Sequence, residues 1–414
     1  MNPLDVYVAG VGMTVFGRHP ASSLQDLSGA AIDAALRDAG LPAEAVQTAF
    51  YAGVTNGALQ GQTSICGPIT LRRAGLQGIP VFTVENACAS GSSAFHLAVQ
   101  AIRSGNCEIA LALGAEKMNV PDKTKMFGVF DGGWDVTSIE ENKAMLLALG
   151  AGIEPPPGSI SERPYSVFMD VYAAFSRQHM RRYGTTQRQI AAVAAKNHQH
   201  SVHNPLSQYR EPMTIEQVLA APPITYPLTL PMCSPISDGA AAVIVCAASA
   251  LRRLGQPRRA VRVLASVVRT GVAHAPDEPQ NGIAHLAACQ AYEAAGICPD
   301  EVSVAEVHDA TAMGEILNAE ALMLAAFGDG GPAAERGDFS IGGRIPINPS
   351  GGLESKGHPV GATGLGQITE LVTQLRAEAG KRQVSGARIA AQENGGGLYG
   401  IEEAVVVVNL FGRQ

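Results

Sequence analysis

The feature that most constrains this fold is an internal echo. Ala288 to Ala310 (ACQAYEAAGICPDEVSVAEVHDA) reads against Ala31 to Gly53 (AIDAALRDAGLPAEAVQTAFYAG). In each, a helix with apolar periodicity stops at Ala-Gly, a proline and an acidic residue follow, and a strand ends some way beyond the glycine. At 414 residues the chain is too long for one ordinary domain. Two like α/β halves packed face to face would bury a continuous core and leave a cleft between them. The halves are placed at residues 1–255 and 256–414, divided within the basic, Gly/Pro-containing stretch Arg252 to Ala260.

The same reading orders the rest. VFTVENACASGSSAFHLAVQAIRSG is a strand, a tight turn and a helix, and EIALALGAEKM is a buried strand. In the second half NPSGGLESKGHPVGATGLGQITELVTQLRAEAG stands where the first has its ENACASGSS turn and helix, and ARIAAQENGGG and AVVVVNLF supply closing strands. Residues 119–179 break the rhythm: DKTKMFGVFDGGWD and EPPPGSISERPYS are poor in periodic apolar residues. A long irregular insertion in a compact protein is usually functional, and this one reads as a cap over the cleft.

Composition removes several function classes. A formal net charge of −7 gives no nucleic-acid footprint. Seven scattered cysteines without CxxC spacing read as reduced thiols, any of which is free for catalysis. The N-terminus enters a strand at once, with no signal-peptide pattern, and no apolar run reaches the ~18 residues of a membrane span. From these features a cytoplasmic chain with no membrane partner is expected.

Chemistry-bearing residues gather in a few motifs. Cys88, in NACASGSS, lies between a strand and a helix N-terminus, whose free N–H groups and partial positive charge suit a thiolate. Its small neighbours let a carbonyl approach. An inert buried cysteine is the plainer alternative. His358, in the Gly-rich turn SKGHPVGATG, is suited to take a proton from a thiol. His308, in EVHDAT, ends a buried strand, where it is either a satisfied core histidine or a donor to a thioester oxygen. ENGGG (Glu393 to Gly397) reads as a loop between strands whose N–H groups face an oxyanion, or as a plain hairpin turn. His198, His200 and His203 in HQHSVHN diverge on a helix and are no metal cluster. Lys123, Lys125, Arg181 and Arg182 are either phosphate contacts or solvated charges.

Taken in order, NACASG, HDA, GHPVGATG and ENGGG, with SDGAAAVIV between, resemble the thiolase superfamily over essentially the whole chain. HDA, KNHQHSVHNPLSQY, NPSGGLESKGHPVGATG and EAGKRQVSGARIA make it similar to the sterol-carrier-protein type thiolases. The resemblance implies an α/β thiolase fold, with duplicated βαβαβαββ halves in a five-layer α-β-α-β-α arrangement and a homodimer or homotetramer. It implies acyl-CoA and CoA as substrates, with no permanently bound cofactor and no metal. Cys88 is then the nucleophile that is acylated, His358 its base, and His308 a donor in one oxyanion hole. The backbones of Cys88 and Gly395 form the second hole, and Ser234 lies near the pantetheine of CoA. The implied reaction is thiolysis of a 3-oxoacyl-CoA or the reverse Claisen condensation. No appended lipid-transfer domain is expected, since the chain ends just after AVVVVNLF.

The pattern breaks at the second acid/base that α-carbon chemistry needs. Ala310 stands where the sterol-carrier type has the cysteine of HDC, and Glu393 where other thiolases have theirs. Glu393 is therefore the expected acid/base, its pKa raised by an apolar cleft. The alternatives are an acyltransferase or retro-aldolase variant, a chain that needs a small acyl-CoA-binding partner protein, or a non-catalytic acyl-CoA-binding scaffold.

Overall fold

The computed structural model describes residues 5–254 and 257–413, so the expected division at 255/256 lies outside the described residues. The echo is visible in the backbone. Helix α1 (Leu24–Ala39) ends on Gly40 at φ 67°, ψ 35°, and its counterpart Ile283–Ala295 ends on Gly296 at φ 68°, ψ 35°. Both glycines supply the left-handed cap that a side chain disfavours. Each helix then feeds a short turn and a strand, Thr48–Ala52 in the first copy and Val304–Glu306 in the second.

In chain order the strands of the main sheet are β1 (Val6–Met13), β2 (Thr48–Ala52), β3 (Val81–Val84), β4 (Ile109–Lys117), β5 (Asp238–Ala247), β6 (Val261–Thr270), β7 (Val304–Glu306), β8 (Ile389–Tyr399) and β9 (Glu402–Gly412). Hydrogen bonding orders them β3-β2-β4-β5-β1-β6-β9-β8-β7. The centre of that order is the antiparallel β1–β6 join, Val6↔Val263 to Val8↔Val261, where the two copies meet. Reading outward, β5 answers β9, β4 answers β8, and β2 answers β7. The place that mirrors β3 holds only a parallel bridge, Ala305↔Ile347.

Helices α2 (Ser90–Arg103) and α3 (Val360–Leu375) form the middle layer. Phe95, Val99, Leu365 and Ile368 pack there with Val8, Ala112 and Val243 of the first half and Val263, Val304 and Ala390 of the second. Outside lie α1 on the first half and Ile283–Ala295 with Gln187–Ser201 on the second. The result is five layers, α-β-α-β-α. Strands buried on both faces explain the unbroken apolar runs in Asp238–Ala247 and AVVVVNLF. Among the described residues, no helix is long and apolar enough to cross a membrane.

Two local expectations are corrected. ENGGG is not a loop: it lies inside β8, with Glu393↔Val408, Asn394↔Val407 and Gly395↔Val406 in register, and the hairpin turns later, near Gly400. The insertion is irregular only in part, chiefly over residues 149–167. It carries helices Lys123–Gly128 and Ile139–Ala148 and runs into Phe168–Tyr183. Trp134, Leu146, Val171 and Leu398 form its own small core.

Candidate active site

Cys88 sits where β3 gives way to α2, in the single turn Ala87–Ala89. Ala87 is held at φ 47°, a conformation that costs a non-glycine residue roughly 1–3 kcal/mol. Local hydrogen bonds hold it there: Ala87 N–H donates to Glu85 Oε1 (2.6 Å), Asn86 N–H donates to Ser90 Oγ (2.8 Å), and Ser90 Oγ–H donates to Ala87 O (2.6 Å). Gly396 presses on the same turn. A Cβ there would lie 2.2 Å from Asn86 O and 2.6 Å from Ala89 N. That contact gives a physical reason for glycine at this point of a strand.

Both histidines converge on this thiol. Cys88 Sγ and one ring nitrogen each of His308 and His358 all lie within 4.8 Å of one another. The imidazole centroids are 5.4 Å apart. Behind His358, Nδ1 meets Thr363 Oγ1 at 2.7 Å, and the Thr363 hydroxyl donates to Pro359 O at 3.2 Å. Thr363 therefore accepts from Nδ1–H, which leaves Nε2 of His358 with its lone pair free. Burial, the charge on His308 and that on Lys356 hold the His358 pKa well below its ordinary range.

His308 is set differently. Its Nδ1–H donates to Glu403 Oε1 at 3.1 Å, and its Nε2 is buried without a hydrogen-bonding partner. Burial alone would lower its pKa. The adjacent Cys88 and Glu403 outweigh burial and hold it well above the ordinary range. The site thus pairs a cationic imidazole that donates with a neutral one that accepts.

The three residues open into a cavity of about 1350 Å³. The insertion supplies Met126, Phe127, Phe130 and Phe168 to its walls, consistent with a cap, and Arg18, Lys123 and Arg163 bring positive charge to them. Ser234 and Ala310 line the cavity too, joined by Ser234 N–H to Ala310 O at 3.0 Å. His198 lines it, stacked on Tyr209, whereas His200 is buried on Asn348 O and Ile341 N, and His203 is exposed.

Glu393 and Gly395 are placed one step back from this wall. Glu393 is fully buried on β8, and its Oε2 accepts the His308 backbone N–H at 3.0 Å. Burial pushes its carboxyl well above the usual range, and the Glu403 charge adds to this. A Cβ on Gly395 would lie 2.0 Å from Glu403 Cδ, so the Glu403 side chain lies across that glycine. Glu403 lines the cavity and Glu393 does not. Gly396 and Gly397, rather than Gly395, line the cavity beside Cys88.

Sequence reasoning missed Glu403, Tyr172 and Thr363. Glu403 had a signal: two adjacent acids open the apolar strand EEAVVVVNLF, and alternation sends one of them inward. Thr363 lies one helical turn after the glycines around His358. Tyr172, which lines the cavity from the insertion, had none.

Comparison with known proteins gives the same picture along the chain. Residues 6–221 match the family model described as "Thiolase, N-terminal domain", and residues 265–409 match "Thiolase C-terminal domain-like". The chain is 38% identical to human sterol carrier protein 2 over 411 residues, covering 97% of this chain and 71% of that protein. It is 37% identical to an acetyl-CoA acetyltransferase of Methanothermobacter thermautotrophicus over 410 residues, 99% of this chain and 100% of that one. Among solved structures, the Ltp2-ChsH2(DUF35) aldolase superposes with a TM-score of 0.78 at 22% identity, covering 100% of this chain and 99% of that one.

Proposed function

The chain belongs to the thiolase family, and from that premise we propose that it is an acyl-CoA acyltransferase in which Cys88 forms a thioester with the acyl group. The observation that carries this reading is the meeting of Cys88, His308 and His358 within 4.8 Å at the wall of a large, mostly apolar cavity. His358 Nε2 takes the thiol proton, and the thiolate attacks the thioester or 3-oxo carbonyl. The developing oxyanion falls to His308 Nε2–H and to backbone N–H groups at the Cys88 turn. Acylation splits one hard transfer into two easier ones, with CoA as the second reactant. The preferred reaction is thiolysis of a 3-oxoacyl-CoA or its reverse. CoA thioesters are the substrates, in keeping with the acetyl-CoA acetyltransferase relative.

The cavity exceeds the usual ~300–1,000 Å³ of a ligand site, which favours a bulky apolar acyl group. The test is incubation with acetyl-CoA and with longer or branched acyl-CoAs, followed by intact mass. An adduct on Cys88, absent in Cys88→Ala, is expected. No adduct with any chain length would sink the acyl-enzyme reading. A retro-aldol reading is favoured by one observation, the alanine at position 310, and by the aldolase among the structural neighbours. It predicts cleavage of a 3-hydroxyacyl-CoA with no acyl-Cys88.

A further inference from the structure

Any reaction that makes or breaks a C–C bond beside a thioester carbonyl leaves an electron pair on the α-carbon as an enolate. A group at the cavity must give that carbon a proton or take one from it. Neither Cys88 nor His358 is free to do so, since one holds the acyl group and the other the thiol proton. Several further acidic side chains lie near. Glu85 and Glu211 line the cavity but neither bonds an imidazole at Cys88, and Glu85 Oε1 is taken by the Ala87 N–H. The Cys233 thiol lines the cavity but is directed at Thr229 O (3.6 Å), and burial pushes its pKa up. Glu354 also lines the cavity, yet both of its carboxyl oxygens are buried without partners. Glu393 does not line the cavity. Glu403 alone among these lines the cavity, keeps 16% side-chain exposure and hydrogen-bonds the imidazole that faces Cys88.

We propose that Glu403 is the acid/base for the α-carbon, reaching from β9 across Gly395 into the place where the sequence pattern lacks a thiol. The inference rests on the acyl-Cys88 reading. In thiolysis, Cys88 S–H passes its proton to His358 Nε2, and the thiolate adds to the 3-oxo carbon. The C2–C3 bond breaks, and the enolate carbon takes a proton from Glu403, which has received it from the Nδ1–H of the His308 imidazolium. Incoming CoA S–H then gives its proton to the Glu403 carboxylate, which returns one to His308 Nδ1, and the CoA thiolate attacks the acyl-Cys88 carbonyl. The Cys88 thiolate leaves and recovers the proton from His358. Glu403 and Tyr172 also line a second cavity of about 200 Å³.

The experiment is deuterium exchange at the α-carbon of acetyl-CoA in D2O, run beside the intact-mass assay. Glu403→Gln keeps an oxygen to accept from His308 Nδ1–H but removes the carboxylate charge beside it, so the Cys88 adduct forms more slowly without being lost, while exchange falls by about 10²-fold or more, far more than acylation does. Glu403→Asp restores part of it. Exchange at the wild-type rate in E403Q, or its survival there together with its loss in C233A or E354Q, overturns the proposal. Loss of adduct and exchange together in E403Q also overturns it, because Glu403 would then act only by holding His308. A wild-type protein that exchanges but is never acylated fails the acyl-enzyme reading instead, so the two failures are distinguishable.

Discussion

The two histidines at Cys88 differ in what stands behind them, and that difference assigns their work. Thr363 fixes the proton of His358 on Nδ1, so Thr363→Val frees the ring to flip its tautomer. The loss of one buried hydrogen bond, about 1 kcal/mol, is expected to lower kcat roughly five- to tenfold, with KM little changed in steady-state assays. Cys88 and Glu403 together hold the His308 pKa well above its ordinary range, and this has a consequence for stability. A histidine whose folded pKa lies above its unfolded ~6.5 contributes stability that is full below that pH and is lost as pH rises through the folded value. Melting temperature is therefore expected to fall on the alkaline side, and His308→Asn to flatten that slope. Glu393→Gln keeps an acceptor for the His308 N–H and is expected to cost thiolysis less than about tenfold, far less than Glu403→Gln. Cys88 and His358 were legible because small residues and glycines announce a crowded turn. The acid pair opening β9 was a signal, but which of Glu402 and Glu403 reaches the Cys88 cavity was not legible, because that depends on strand register and on what the next strand lays over it.

Among the elements, β8 bears on the site most closely. Its glycines looked like a loop because sequence alone does not show another turn's backbone arriving at 2.2 Å from a missing Cβ. Gly396→Ala is expected to push the Asn86–Ala89 turn out of place and abolish the Cys88 adduct, with the melting temperature reduced but the circular dichroism spectrum retained. The insertion teaches the opposite lesson. Its helices are short, and the Trp134 core that fixes them draws on Val171 and on Leu398 of β8, distant in sequence, so local periodicity carried no trace of it. The paired helices and their glycine caps were readable because both signals are local.

For the whole molecule, the two like halves were legible from the echo and the five layers were implied by the thiolase resemblance, whereas the expectation of association rests on an edge. β3 ends the sheet among the described residues, and Phe82 on it is 53% exposed and stacked on Phe50 at 5.5 Å. An open edge carrying an aromatic favours pairing with a second copy. Light scattering on a sizing column is expected to find at least a dimer, with Phe82→Lys shifted toward monomer. The join of the two halves has a further consequence. Where α2 and α3 cross, a Cβ on Gly91 would lie 2.8 Å from Gly361 O, so the duplicated turns, one carrying Cys88 and the other His358, share a single space. On the acyl-Cys88 reading the two turns build one centre between them, so one acyl group per chain is the expected stoichiometry, and neither half alone would hold a complete site.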